Sequence, residues 1–386
     1  MSGRIIITNY KEYHVAVKHD GKRITELDVS RADEKSELGN IYIGRVTDVV
    51  KNLNAAFIEY SKGKKGYFSL DDNKEAIFLN HKNTDKVCQG DTLLVRVSKA
   101  AVKTKDPVLS SKLELAGEYV VLTSGDTRIS FSSKIKDDSI KKEIEECLRN
   151  GYNGKVGFIV RTKACLCSTD ILMAEAEKLF SRYSEIIEKA KYLTPYTKMY
   201  ETPKSYQIFA RDLFKDDVEE IVTDDEEIFE ELKQVIGKNI RLYDDRMITL
   251  TKLYGIESFL DKCLTQRVWL DSGAYLVIEH TEALWVIDVN TGKCVKGKNN
   301  DKVFYKVNKE AAYEAARQIR LRNMSGMIII DFINMKDKEL TDLLLEDVKQ
   351  AVMNDPVKTT FVDITKLGLV ELTRKKERPP LHEILK

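Results

Sequence analysis

Residues 274–293 read AYLVIEHTEALWVIDVNTGK. Two β-forming runs, AYLVIEH (274–280) and ALWVIDVN (283–290), read as successive strands. The second run carries Asp288, two positions before Asn290. Downstream, MIIIDFI (327–333) again sets an acid, Asp331, inside an apolar strand. Helical spacing of apolar residues predicts helices over 308–322 and 337–353, and β-like runs follow at 359–364 and 367–373. An acid in an apolar strand is costly unless it is solvated at a strand end, paired or bound to a cation. Open sheets gather functional groups at the carboxyl ends of their strands. Residues two apart on a strand share a face, so Asn290 is placed to hydrogen-bond the Asp288 carboxylate and fix its orientation. Two carboxylates without a nearby histidine or thiol are hard oxygen ligands, suited to magnesium or manganese and to phosphodiester hydrolysis. Gly292, Lys293, Lys296 and Lys298 follow the strand as candidate phosphate contacts. Either aspartate alone reads as an ordinary turn or cap residue. The pair, with Asn290 and the glycine–lysine loop, gives the shared cation equal standing.

Upstream, the first third is a series of short β-like runs: RIIIT (4–8), YHVAVK (13–18), NIYIGRVTDVV (40–50), AAFIEY (55–60), KGYFSL (65–70) and TLLVRVS (92–98). The part after Gly39 reads as one five-stranded barrel ending near Lys105. Phe57 and the Tyr67–Phe68 pair fall on strands separated by the basic turn Lys62 to Lys65. That is how a small barrel offers stacking platforms beside backbone-binding charge, although one aromatic of each pair belongs equally well to the core. Next come a strand (119–124), a helix (139–149), a strand (154–162) and a long amphipathic helix (172–193). Pro195 and Pro203 bracket a predicted linker, and a helix (225–236) and strand (239–243) follow it.

The net charge is +1 with 32% charged residues, so any nucleic-acid footprint is local. Candidate clusters are Lys62 to Lys65, Lys293 to Lys298 and Arg374 to Arg378, each of which also reads as a solvated face. No apolar run reaches bilayer length, and MSGRIIITNYKEYHV is no signal peptide. The six cysteines, Cys88, Cys147, Cys165, Cys167, Cys263 and Cys294, are scattered and contain no C-x-x-C. Reduced structural thiols and a cytoplasmic setting are expected, with Cys165 and Cys167 as neighbours on a strand edge.

The string IDVNTGK (287–293) resembles the active-site signature of the ribonuclease E/G family. In the same order, residues 39–70 resemble the family's S1-type OB-fold, GFIVRT (157–162) its 5′-sensing segment, and residues 280–292, 314–335 and 367–376 its catalytic domain. The resemblance is colinear over nearly the whole chain. It implies an α+β multidomain fold: an RNase H-like domain split between 1–38 and 200–264, an S1-type OB-fold β-barrel over 39–108, a 5′-sensor α/β domain over 109–199, and a DNase I-like α/β catalytic domain over 265–386. It further implies a magnesium-dependent endoribonuclease acting on single-stranded RNA, in RNA processing or decay, favouring 5′-monophosphorylated substrates and leaving 5′-phosphate products. The metal-binding catalytic aspartates then fall on Asp288 and Asp331 with Asn290 in support. RNA-gripping positions fall on Phe57, Tyr67 (where the family often has phenylalanine) and Lys105, and the 5′-monophosphate pocket on Gly117, Val121, Arg161 and Thr162. Arg161 offers a bidentate fork to phosphate and Thr162 a hydroxyl donor.

Three departures stand out. The family's C-P-x-C motif and the dimerisation domain after it are absent before Lys386, so no zinc site is expected and a dimer would lack its zinc link. Asn334 stands where an aspartate is common. No membrane-targeting tail is present, so no membrane partner is expected and the extent matches the family's shorter type. Two competing readings remain: a non-catalytic RNA-binding protein that keeps the OB-fold and sensor, and a DNA nuclease using the same metal chemistry.

Overall fold

The computed structural model describes residues 3–33, 37–80, 84–99, 106–132, 134–152, 154–214, 217–245, 247–292, 301–353 and 355–386. It is a mixed α+β structure in two compact units, one comprising Met1–Glu34 with Ser205–Lys386 and the other Lys35–Lys204. Each unit holds two of the sheets formed by the described residues.

In the first unit, strand Gly3–Tyr10 lies at the centre of a five-stranded sheet. It pairs in parallel with Val218–Thr223 and antiparallel with Tyr13–His19. Ile5, Ile6 and Ile7 are all fully buried because both faces are covered. Ile5 and Ile7 pack with Tyr206, Ala210 and Leu232, and Ile6 packs with Val15, Leu250 and Leu260. Strand Ile24–Arg31 (ITELDVSR) went unrecognised in the sequence because its polar residues hide the alternation. In the fold its acids are paired: Glu26 with Arg320 at 3.0 Å, and Asp28 with Ser205 and Arg378.

The second sheet of this unit has six strands in the order Arg267–Trp269, Tyr275–His280, Leu284–Asn290, Gly326–Asp331, Val370–Arg374, Thr359–Ile364. Helices Asp301–Leu321 and Lys338–Met353 cover one face. Leu276, Ile278, Ile287, Val289, Ile328, Ile330 and Leu372 pack there with Ala311, Ala315, Ile319, Leu344 and Val348. The first of these helices starts at Asp301, a full two turns before the expected Asn308. The Asp301 carboxylate accepts the Lys336 and Asp337 backbone N–H groups at 2.8 and 2.7 Å. Asn308, fully buried, exchanges hydrogen bonds with the Ile333 backbone (2.7 and 3.0 Å) and fixes the chain just after Asp331.

In the second unit, strands Ile41–Val50, Ala55–Ser61, Lys64–Ser69, Val108–Ser110 and Thr92–Lys99 close into a five-stranded barrel through the first-to-last pairing of Ile41–Val50 with Thr92–Lys99. The barrel therefore runs beyond the expected end near Lys105. The segment between Pro195 and Pro203 is not a bare linker, because Lys198–Tyr200 pairs with Ile41–Val50. The other sheet orders Glu114–Ala116, Val120–Thr123, Gly157–Val160 and Ile129–Phe131. Helices Asp138–Tyr152 and Thr169–Ala190 pack on it through Leu148, Tyr152, Leu172 and Ala176. Its strand ends at Val160 and gives way to a 3-10 turn over Thr162–Leu166, so Cys165 and Cys167 are not strand neighbours as expected. Cys88, Cys147, Cys165, Cys167 and Cys263 are free thiols, and burial pushes Cys263 up to about 11. Cys294 lies outside the described residues. Among the described residues no helix is long and apolar enough to cross a membrane.

The short helix Leu381–Ile384 docks on the first unit through Leu381, whose N–H donates to the Arg322 carbonyl at 3.0 Å. The neighbouring His382 ring lies 5.3 Å from His280 and 5.6 Å from Trp285. Burial, then the proximity of His280, pushes His382 below the ordinary imidazole value of 6.5. A depressed folded pKa means that the unfolded chain takes up the proton first. The stabilisation is whole above about pH 6.5 and is lost as pH falls through the folded value. Relative to its intrinsic rate, which itself slows as pH falls, amide exchange at Leu381 should accelerate as pH drops from 7.5 to 5.5. His382→Gln should remove that extra acceleration, and an unchanged profile in the variant would refute this origin.

Candidate active site

Asp288 and Asp331 are register partners on the parallel strands Leu284–Asn290 and Gly326–Asp331. Neighbouring strands lie about 4.8 Å apart and directly paired residues share a face. Both carboxylates therefore leave the sheet side by side near the carboxyl ends of their strands. Burial alternates accordingly: Trp285, Ile287 and Val289 face the helices, while Val286, Asp288 and Asn290 point the other way. Both aspartates are exposed. The Asn290 Nδ2 donates to Asp288 Oδ2 at 2.6 Å, which holds one carboxylate oxygen and leaves the other free of that bond. This donor set is all oxygen and fits a hard divalent cation that needs only one or two protein carboxylates. Among the described residues no group of three His, Cys, Asp or Glu forms a fuller cage.

Register extends the row sideways. Asn290 pairs with Tyr275 and Tyr275 with Trp269, while Asp288 pairs with Val277 and Val277 with Arg267. Arg267, Trp269 and Tyr275 thus occupy the face that carries the acids. Sequence reasoning passed over them, although a hairpin with an Asp-Ser-Gly turn (271–273) already places Trp269 and Tyr275 opposite each other. Gly292 turns the chain at φ +52°. A Cβ there would stand 2.4 Å from the Gly273 carbonyl and 3.3 Å from the Tyr275 ring, so only glycine lets this turn lie against the hairpin. Lys293, Lys296 and Lys298 lie outside the described residues.

On the barrel, Phe57 and Tyr67 are cross-strand partners with ring centroids 6.2 Å apart in a T-shaped arrangement. Both are half-buried, whereas Phe68 is wholly buried and belongs to the core. Two lysines of the adjoining basic turn have acidic neighbours: Lys64 lies 2.8 Å from Glu37 and Lys65 3.9 Å from Asp48. Lys105 lies outside the described residues.

Gly117, Val121, Arg161 and Thr162 gather at one end of the four-stranded sheet. Gly117 N–H donates to the Val120 carbonyl, closing a tight turn, and Arg161 N–H donates to Tyr119 beside it. Val121 is paired with Ile159, and the exposed Thr162 hydroxyl donates to Ser132 Oγ at 3.0 Å. One feature had no sequence signal. Glu175, on helix Thr169–Ala190, places its carboxylate against Gly117 and accepts the N–H groups of Glu118, Tyr119 and Val120 at 2.6, 2.7 and 3.0 Å. Those three amides are therefore satisfied internally, so an anion at this end of the sheet would rely on the Arg161 side chain and on a Thr162 hydroxyl turned away from Ser132.

The model of the Ribonuclease E/G family matches residues 114–377. Ribonuclease G of Haemophilus influenzae is 30% identical to this chain over 391 aligned residues, covering 97% of the chain and 79% of that protein. Ribonuclease G of Escherichia coli K12 is 29% identical, covering 95% of the chain and 78% of that protein. Ribonuclease E of Buchnera aphidicola is 28% identical, covering 97% of the chain and 40% of that protein.

Proposed function

Since the chain belongs to the ribonuclease E/G family, we propose that it is a magnesium-dependent endoribonuclease cutting single-stranded RNA at the Asp288–Asp331 pair. Manganese is the natural substitute. The observation that carries this reading is the register pairing of the two aspartates on an exposed sheet face, with Asn290 bonded to one of them. When bound, the cation supplies Lewis-acid stabilisation of the charge that builds on the scissile phosphate. The chain's own residues do the rest. Asp288 and Asp331 hold the cation from neighbouring strands, and Asn290 orients Asp288 so that its geometry is set before substrate arrives. In the barrel, read as an S1-type OB-fold, Phe57 and Tyr67 offer ring surfaces to unpaired bases, with Lys105 assigned to the same strand of RNA. Water oxygen bonds to phosphorus as the bond to the 3′-oxygen breaks, leaving a 5′-phosphate and a 3′-hydroxyl. The division into RNase H-like, S1-type, 5′-sensor and DNase I-like parts belongs to the same reading. So does a cytoplasmic role in RNA processing or decay.

Arg161 and Thr162, with Gly117 and Val121 shaping the turn, are assigned to a 5′-monophosphate. A guanidinium fork and a hydroxyl donor are matched to a dianion. The test is cleavage of a labelled single-stranded RNA carrying a 5′-monophosphate or a 5′-hydroxyl, with magnesium or with EDTA. Cleavage is expected with magnesium only, faster for the monophosphate. Arg161→Ala should lower the monophosphate rate by about tenfold, the worth of a charge-assisted contact, and leave the hydroxyl rate in place. RNA binding without any cleavage would replace this reading with that of a non-catalytic RNA-binding protein. A preference that survives Arg161→Ala would remove the sensor assignment.

A further inference from the structure

We propose that Trp269, Tyr275 and Arg267 form a nucleobase-stacking subsite beside the acidic pair, seating one unpaired base of the strand that is cut. The placement next to a cleavage centre rests on the endoribonuclease reading above. The stacking surface itself rests on the geometry of the edge hairpin.

Three observations bear on it. First, Trp269 is 59% exposed on the edge strand Arg267–Trp269, on the sheet face opposite the one that helices Asp301–Leu321 and Lys338–Met353 cover. A large aromatic left in water beside a polar row is a feature that marks recognition surfaces. Second, the three side chains already form a stack. The Trp269 and Tyr275 rings have centroids 5.1 Å apart at 56°, and the Arg267 guanidinium lies 4.6 Å from the Tyr275 ring and 5.9 Å from that of Trp269. Indole, phenol and guanidinium planes are the groups that hold unpaired bases, and the cation also suits the phosphates that flank a base. Third, the register ties this stack to the acids: Trp269 faces Tyr275, Tyr275 faces Asn290, and Asn290 bonds Asp288. A base on the stack therefore lies on the same face as Asp288 and Asp331, one to two strand spacings across and two residues along from Asp288 (roughly 8–12 Å).

The stack is also held before any ligand arrives. The hairpin turn is closed by Leu270 N–H to Ala274 and Gly273 N–H to Leu270, at 2.9 and 3.0 Å. Ser272 N–H reaches Glu310 on helix Asp301–Leu321 at 3.2 Å, and Gly292 packs against the Tyr275 ring. Because every base has a π-face, the subsite would tolerate sequence while rejecting a position that has lost its base.

The experiment is an abasic scan on the full chain. Single-turnover cleavage is measured on single-stranded RNAs that each lack one base, for wild type and for Trp269→Ala/Tyr275→Ala. In wild type, one position near the cut should raise KM by about tenfold when its base is removed. The double variant should show that loss on intact RNA and no further loss on that abasic RNA. Trp269→Phe, which keeps a ring, should restore most of the affinity. Independent losses from base removal and from the variant at every position would overturn the subsite and reduce the trio to a support of the hairpin.

A second readout does not depend on cleavage. The chain has two tryptophans, Trp269 and Trp285, so Trp285→Phe isolates the Trp269 fluorescence. Single-stranded RNA in EDTA should quench it, and an abasic ribose-phosphate oligomer should not. Quenching without cleavage under magnesium would keep the stacking subsite and sink the endoribonuclease reading. Cleavage without base-dependent quenching would do the reverse.

Discussion

Asp288→Asn and Asp331→Asn should each slow RNA cleavage by about a thousandfold, because the Lewis-acid contribution of a divalent ion is worth several kcal/mol of barrier and each 1.36 kcal/mol is tenfold. Either change keeps the side-chain shape and removes one negative charge from the pair proposed to hold a dication. Both residues are exposed on the sheet face opposite the helices and take no part in the core, so the fold should be indifferent to the substitution. Asn290→Ala should cost less, about ten- to a hundredfold, since it acts only by holding Asp288. Part of that deficit should be recovered at raised magnesium, whereas the aspartate variants should recover little. RNA affinity, read by filter binding at fixed ionic strength, should stay within about threefold in all three variants, since phosphate contacts spread along a strand generally dominate such affinity. Wild-type turnover in either aspartate variant would remove the site.

Much of this arrangement is legible in the chain before folding. IIIT (5–8) and the runs around 276–289 and 327–333 announce strands because branched residues dominate them, and the structure places strands there. The acids of Asp288 and Asp331 stand out because an apolar strand tolerates a charge only at its edge or end. The sequence could not say that they share a row. That follows from a parallel pairing across helix Asp301–Leu321, and a slip of one residue would have put the two carboxylates on opposite faces. Other elements were hidden for physical reasons. Ile24–Arg31 looks like a loop because its acids form ion pairs with Arg320 and Arg378, more than two hundred positions away. Helix Asp301–Leu321 has a polar first turn whose anchor is the loop at Lys336–Asp337, which local periodicity cannot reveal. Glu175 resembles any solvent-facing helix glutamate until the turn at Gly117 closes on it. The Arg267–Trp269–Tyr275 stack was the one omission that pattern could have supplied, because hairpin register alone pairs the two rings.

The second large effect lies behind the site, at the Asp355–Arg374 pair. Their side chains are 3% and 4% exposed, and the contact is a fork: Arg374 Nε and Nη2 donate to the Asp355 carboxylate at 2.7 and 3.2 Å. Every remaining group is matched. Arg374 Nη1 donates to Asn323 Oδ1 and the Met324 carbonyl, and Asp355 accepts Thr359 Oγ1 and the Val357 N–H. Arg374 also sits opposite Gly326 at the start of the strand that ends in Asp331. Removing one member leaves the other's desolvated charge without its forked partner. Asp355→Ala should therefore lower unfolding stability by about 3–5 kcal/mol, and Arg374→Ala by a similar amount. Asp355→Leu with Arg374→Met should cost much less than the sum of the singles, since apolar groups of similar volume need no partner. The measurement is urea unfolding of the four proteins, with the midpoint and slope compared. Additive losses would show that the two residues act separately and not as a buried pair. Activity should follow folded fraction in these variants and leave kcat per folded molecule near wild type, because none of these groups reaches the sheet face that carries Asp288 and Asp331.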